Sequence, residues 1–562
     1  MTESAPAGRP RLLLVAAPGE AKRSDELRRL FGFDFAVEVA GATLPDPRAF
    51  AAVVVDGAGG FAESEFLRGL GESVEQGCRL LVLLPARPLP RRWAEWLGAD
   101  SGEAHPRGEW FLKPLSNLGP IAARLPAEIA LVDAPVELAI TAGGAEALAA
   151  ISIGFKDRVV MSRRPLGRGE IVLTGIGAES DALSHEEVVR LLRRAVRPLS
   201  SPDRPLGFGV LGYGPYGGMG LYHGVAARQT EGLEMVAAAD PDPSRREAAE
   251  VEFPGLRAHA GVEGLAADDA VDVVVVATPP VSHFDLARRL FEAGKHVVLE
   301  KPMCLKVSEA DELLALARRA GRTLTVHQSR RWDPDFQLLA RSVAQGLIGD
   351  LFNVETFVGG FEHPCRAWHS EVEISGGAVY DWGSHHLDWI LQLMGEFPAE
   401  LTAHGHKRVW RDVTNLDQVR VRLAWADGRE AEFLQSDIAA IRRPKFFLQG
   451  TAGTIAGSYR PLLFERLEPG YGYVGDPAHH AEAPVELTLA RYTPGEGLSE
   501  TVLRPLAGDR YGFHRNLADH LHLGEPLAVT PESAREVVAL LEAAQVSTDK
   551  GNVSVQLVRP GA

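Results

Sequence analysis

The feature that most constrains this chain is an apolar run, Leu206 to Leu211, that leads directly into glycines spaced Gly212-x-Gly214-x-x-Gly217 and then into a helix-like stretch reaching about Arg228. Gly212 permits a tight turn, Gly214 lets the backbone approach a ligand, and Gly217 lets a helix pack closely on the strand before it. Pro215 suits the first helical position, and the helix N-terminus offers positive potential to a pyrophosphate. Spacing alone is weak, because 58 of 562 residues are glycine and an ordinary tight turn is the alternative. Its context is stronger. Strand-like Glu234 to Ala239, Val271 to Ala277, His296 to Leu299 and Thr323 to His327 alternate with helix-like Ser282 to Ala293 and Ser308 to Ala320. This predicts a doubly wound parallel sheet that binds a dinucleotide at the carboxyl ends of its strands. Gly212, Tyr213, Gly214, Tyr216 and Gly217 are the expected phosphate-side residues. Asp240 follows the second strand, 23 residues beyond Gly217. A carboxylate there accepts hydrogen bonds from a ribose and repels a 2′-phosphate, which predicts NAD. Arg245 and Arg246 leave NADP possible, and Asp240 capping its own turn is the alternative.

A chain of 562 residues exceeds what one hydrophobic core usually serves. The stretch Arg197 to Gly207, RPLSSPDRPLG, has no apolar periodicity and reads as a linker. Ahead of it, strand-like Arg11 to Ala16, Ala51 to Val55, Arg79 to Leu84 and Ile171 to Thr174 alternate with helix-like Ser24 to Leu30 and Glu186 to Ala195, predicting a mostly parallel, helix-covered sheet. Beyond Asp350 come alternating segments such as Leu351 to Val358, Gln418 to Trp425 and Ala431 to Ser436, the pattern of an antiparallel sheet. The expected order is an α/β domain over 1–200, a dinucleotide-binding Rossmann domain over 201–328, and an α+β domain with a large, mainly antiparallel sheet over 329–562.

A formal net charge of −16 with no local basic patch argues against nucleic acid and anionic membranes as partners. No apolar stretch reaches the ~18 residues of a membrane helix, and the Met1 to Pro10 segment does not read as a signal peptide. Three scattered cysteines, Cys78, Cys304 and Cys365, form no disulfide framework, so a reducing cytoplasm is expected.

Four segments carry a resemblance: Val271 to Pro302 (VDVVVVATPPVSHFDLARRLFEAGKHVVLEKP), His327 to Phe336 (HQSRRWDPDF), Gly376 to Trp389 (GGAVYDWGSHHLDW) and His514 to Pro526 (HRNLADHLHLGEP). Together they resemble the Gfo/Idh/MocA family, oxidoreductases typified by glucose-fructose oxidoreductase and inositol dehydrogenase, over about 350 residues. The resemblance implies NAD or NADP as cofactor and hydride transfer to or from a secondary alcohol of a sugar, inositol or related polyol. It also implies an open sheet used for substrate binding and for assembly into a dimer or tetramer.

Glu300-Lys301-Pro302 matches the family's EKP motif, whose lysine contacts substrate and nicotinamide ribose; an ammonium there stabilises alkoxide character as hydride leaves. Asp381 and His385 match the family's acidic residue and histidine. Their spacing of four predicts one helix face turned to one cleft, with His385 as general base and Asp381 orienting it or binding a neighbouring hydroxyl. Thr278, Pro279 and His283 are expected beside the cofactor, and Arg330, Trp332 and Trp382 beside the substrate. His363, His369, His385 and His386, with Cys365 nearby, match no zinc spacing, and the family chemistry needs no metal, so none is expected. Two other functions fit the same residues: an NAD-dependent glycosidase that oxidises its sugar transiently, and a nucleotide-binding sensor or scaffold without turnover.

The front segment resembles ThuA-like domains, relatives of the class I glutamine amidotransferase fold, through QGCRLLVLLPA (Gln76 to Ala86), AEWLGAD (Ala94 to Asp100) and GRGEIVLTGIGAES (Gly167 to Ser180). A nucleophile elbow needs Cys or Ser after the strand, whereas Leu84-Pro85-Ala86 follows it and Cys78 precedes it. A non-catalytic docking, scaffolding or regulatory domain is expected.

Overall fold

The structure is a computed structural model that describes residues 9–16, 21–40, 44–57, 64–84, 89–115, 121, 125–141, 144–154, 156–177, 182–183, 185–197, 204–214, 218–364, 368–459, 466–468, 472–474, 484–506 and 508–559. The chain divides into two compact units, Met1–Asp203 and Arg204–Ala562.

In the first unit a nine-stranded sheet begins with five parallel strands in the spatial order Ala36–Val39, Arg11–Val15, Ala52–Asp56, Arg79–Leu83, Gly169–Thr174. Numbered along the chain this is 2-1-3-4-5, the flavodoxin-like order. The sheet continues through four antiparallel strands, Lys156–Leu166, Glu146–Ile153, Gly108–Pro114 and Ile129–Asp133. That extension departs from the mostly parallel sheet read from the sequence. Its longest member, Lys156–Leu166, mixes charged with apolar residues and buries only a short middle stretch, so it gives no clean alternation.

The second unit opens with β1 (Leu206–Leu211), α1 (Met219–Gln229), β2 (Leu233–Ala239), α2 (Pro243–Glu252), β3 (Arg257–His259), α3 (Val262–Ala267), β4 (Val273–Val276), α4 (His283–Glu292), β5 (His296–Leu299), α5 (Val307–Ala320) and β6 (Leu324–Val326). The strands pair in parallel in the order 3-2-1-4-5-6, the doubly wound arrangement that reverses direction between β1 and β4. β4 is four consecutive valines, all buried, as a central strand covered on both faces requires.

A second nine-stranded sheet follows, antiparallel except where Leu351–Gly359 runs parallel to Glu430–Ser436. Its strands alternate: Val419, Val421 and Leu423 face inward beside Ala431 and Phe433, while Arg422 and Glu432 pair across the outer face at 3.0 Å. The helix Gly383–Met394 covers the inner face with Leu387, Ile390 and Leu391. The helix Pro531–Asp549 starts on a Thr530 cap and a proline, and it serves two cores. Ala534 and Val538 pack with the parallel sheet, whereas Leu541 and Ala544 pack with the antiparallel one. The preceding helix, Gly512–Leu523, lays Phe513 and Leu517 into the parallel-sheet core. Among the described residues no helix is long and apolar enough to cross a membrane.

Candidate active site

The carboxyl ends of β1, β2, β4, β5 and β6 open on a cleft of about 530 Å³ that the Trp368–His385 segment closes from the other side. Gly212, at φ +85°, makes the turn out of β1. A Cβ there would stand 2.7 Å from the Thr278 methyl and 3.1 Å from the Ala277 carbonyl, so only glycine keeps this corner open. Gly220 makes a tight approach to the turn that leaves β1: an added Cβ there would fall 2.1 Å from the Tyr213 carbonyl. Tyr216 and Gly217 lie outside the described residues, as does Pro215, and α1 begins at Met219 rather than at Pro215. A backbone cradle that side chains would fill fits a dinucleotide pyrophosphate.

Asp240 caps its own turn and stands on the cleft wall. Its Oδ2 accepts from the Gly214 amide at 2.8 Å, bracing the glycine turn, and its Oδ1 accepts from the Asp242 amide at 2.9 Å, while the residue also lines the cleft. Arg246 donates to the carbonyls of Asp240 and Pro241 at 2.8 and 3.0 Å.

Lys301 leaves the end of β5 and donates from Nζ to Asp381 Oδ1 at 2.6 Å and to the Asp381 carbonyl at 3.3 Å. The two side chains are about a quarter exposed, at 21% and 29%, so the pair is reachable from the cleft. Asp381 and His385 both line the cleft, but they do not share a helix. Asp381 ends Ala378–Asp381, the backbone turns at Trp382, and His385 belongs to Gly383–Met394. His385 is buried with its Nδ1 unpartnered, and burial first, then the Lys301 and Arg330 charges, hold its pKa well below the ordinary imidazole value. It therefore stands in the neutral, proton-accepting form at neutral pH.

Glu300, with 12% of its side chain exposed, accepts from His223 Nε2 at 2.9 Å and from His327 Nδ1 at 2.7 Å. Burial alone would raise its pKa, but the neighbouring histidines hold it well below the carboxylate range. Thr278 and Pro279 line the cleft as expected. His283 does not: it is fully buried under the Thr278 turn, with its ring nitrogens against the carbonyls of Thr278 and Pro302 at 2.8 and 3.0 Å. Its place at the first turn of α4 points it inward, so it holds the cofactor turn and does not face the cleft.

On the substrate side Arg330 lies over the Trp382 ring at 5.5 Å, and both line the cleft. Trp332 does not join them. It packs edge-on against Phe513, because the short 3₁₀ turn Ser329–Trp332 rotates successive side chains apart. Arg331, between them, is buried in a two-pronged ion pair with Asp388. Trp368, stacked on His369 at 3.6 Å, and Ser375 also line the cleft, and so does His327. The position of His327 directly after β6, at the ligand edge of the sheet, was the signal that could have found it. Of the histidines weighed for a metal, His386 packs on Trp389 and Phe433, and His363 pairs with Asp412 at 2.9 Å. Cys365 lies outside the described residues.

A doubly wound sheet whose glycine turn and strand ends face an ammonium, a carboxylate and a neutral imidazole defines an NAD(P)-dependent oxidoreductase. Residues 206–328 match the oxidoreductase family with an NAD-binding Rossmann fold, GFO_IDH_MocA, and residues 336–456 match the GFO/IDH/MocA C-terminal domain. The second unit belongs to the Gfo/Idh/MocA family.

Among curated relatives, the scyllo-inositol 2-dehydrogenase (NADP(+)) IolW of Bacillus subtilis is 26% identical over 60% of this chain and 93% of its own length. The uncharacterized oxidoreductase YdgJ of Escherichia coli is 34% identical over 34% of this chain and 55% of its own. The crystal structure of an NAD-binding protein from Listeria innocua superposes with a TM-score of 0.53 at 27% identity, covering 63% of this chain and 97% of that one.

Proposed function

We propose that the second unit oxidises or reduces a secondary alcohol of a sugar, inositol or related polyol with NAD(P). The observation that carries this is the 2.6 Å contact of Lys301 with Asp381 beside a neutral His385, at the end of the strand that faces the glycine turn. When bound, NAD(P) accepts or supplies the hydride. The chain's own groups handle the proton and the oxygen. Asp381 anchors the Lys301 ammonium, which stabilises negative charge growing on the substrate oxygen. His385 takes the hydroxyl proton during oxidation and returns it during reduction. Arg330 and Trp382 offer a hydrogen-bond donor and a flat apolar face, a combination suited to a polyhydroxylated ring. The inositol activity of IolW supports the substrate class.

Purified protein tested on a polyol and inositol panel at the NADH absorbance band is expected to reduce NAD with at least one member. Turnover that leaves no net NADH would favour transient-oxidation glycosidase chemistry instead. The Asp240 carboxylate favours NAD over NADP, although IolW uses the latter. Asp240→Ser is expected to narrow or reverse that preference, read as the ratio of affinities; equal wild-type affinities would sink it.

In the same reading the first unit is a ThuA-like domain without chemistry of its own. Cys78 precedes its strand, away from the ligand edge, and burial pushes its thiol pKa up, whereas a nucleophile needs the thiolate. The outer face of the antiparallel sheet, with the Arg422–Glu432 and Arg443–Glu355 pairs, is the surface through which the chain would form a dimer or tetramer.

A further inference from the structure

Behind the cleft, three histidines from distant parts of the chain converge: His223 from α1, His327 from the end of β6, and His514 from the helix Gly512–Leu523. One ring nitrogen from each lies within 4.8 Å of the others, and all three side chains are at most 2% exposed. Proton bookkeeping around them is tight. Glu300 Oε1 lies 2.9 Å from His223 Nε2 and 2.7 Å from His327 Nδ1, so as a carboxylate it accepts a proton from each ring. With both rings neutral, His223 Nδ1 and His327 Nε2 are left to offer lone pairs. His223 Nδ1 faces His514 Nε2 at 3.0 Å, whereas His327 Nε2 is buried with no partner. A hydrogen bond between two histidines accounts for the first lone pair and leaves the second unexplained.

We propose that His223, His327 and His514 form a three-imidazole site for a divalent cation of borderline softness, zinc or cobalt. The 3.0 Å separation approaches the roughly 3.3 Å edge of a tetrahedron built on bonds of about 2.0–2.1 Å. Glu300 takes the part that a carboxylate usually plays behind metal-bound histidines, receiving the far N–H of two of them and fixing their orientation. Binding requires that the proton of His514 move from Nε2 to Nδ1, a buried nitrogen with no acceptor of its own, so that Nε2 can ligate. His327 and Glu300 also line the cleft, so the three-histidine cluster borders it. The ligands come from 223, 327 and 514, so no local spacing reveals them. The cation would tie α1 and the C-terminal helix to the strand end that carries Lys301.

The test is to strip the full-length protein with a chelator, dialyse it and titrate it with Co²⁺, following the ligand-field absorption of tetrahedral cobalt and the metal content. One cobalt per chain, displaced by zinc, is expected. His514→Phe keeps the aromatic packing on Phe208 and Phe513 and is expected to abolish stoichiometric uptake while thermal melting and NADH binding persist. His223→Gln serves as the second ligand deletion if that variant does not fold. Glu300→Gln should weaken cobalt binding about 10–100-fold, and His363→Ala should leave it unchanged. Folded wild-type protein that takes up no cobalt or zinc, or ligand variants that bind as wild type does, would overturn the site.

Discussion

His385 is kept neutral by its surroundings: burial, then the charges of Lys301 and Arg330, all disfavour the imidazolium. A depressed pKa means that the base form persists as pH falls below the ordinary histidine value near 6.5. The kcat/KM for alcohol oxidation is therefore expected to show no inflection near pH 6.5; a clear one assigned to His385 by its loss in a variant would contradict this. His385→Ala should cost about 10²–10⁴-fold in rate and be partly rescued by alkaline conditions, since hydroxide can replace a base. Lys301→Ala should lose turnover at every pH, because hydroxide cannot replace a fixed ammonium. Both variants should still bind NADH, measured by fluorescence. Lys301 was legible because it ends a buried strand, and strand ends define the ligand edge. Trp332 and His283 were not, since one residue's rotation in a 3₁₀ turn or a helix start decides between cleft and core.

Among the elements, the glycine turn depends most on a single residue. Gly212 combines φ +85° with 2.7 Å of clearance, so Gly212→Ala strains the backbone and crowds Thr278 together. Its NADH affinity should fall at least ~10-fold, a loss of about 1.4 kcal/mol, with the melting temperature of the unit little changed. Binding within twofold of wild type would mean that the turn does not cradle the cofactor. Apolar, buried strands such as β1 and β4 announced themselves by composition. β3, only three residues long and mostly half-exposed, carried no pattern to read. α1 starts at Met219, directly after Gly218 at φ +63°, four residues beyond the expected start.

At the scale of the molecule, the second unit buries neutral histidines in quantity. His223, His283, His385, His386 and His514 all have pKa values lowered first by burial, His223 to about 4. The unfolded chain protonates near 6.5 and the folded one does not until much lower, so it is the unfolded state that gains protons in between. Stability is thus complete above pH 6.5 and lost as pH falls toward 4, by on the order of 3 kcal/mol for His223 alone. Melting curves should fall steadily over that window, and His386→Phe should flatten part of the slope; an unchanged melting temperature from pH 7 to 5 would refute the argument. A chain beginning near Ser201 should fold and bind NADH, since Arg204–Ala562 is a compact unit with its own cores. Insolubility or lost binding would show that the first unit completes the second.

The helix Pro531–Asp549, which packs with both cores of that unit, sets an order on biosynthesis. On the ribosome the glycine turn emerges more than three hundred residues before the helix that locks the parallel sheet to its antiparallel partner. The nascent second unit must wait with two half-closed cores, exposing apolar surface that chaperones recognise, while the first unit already has every strand of its sheet. Stops placed ahead of the helix Pro531–Asp549 should therefore yield aggregation and degradation in place of a shortened enzyme.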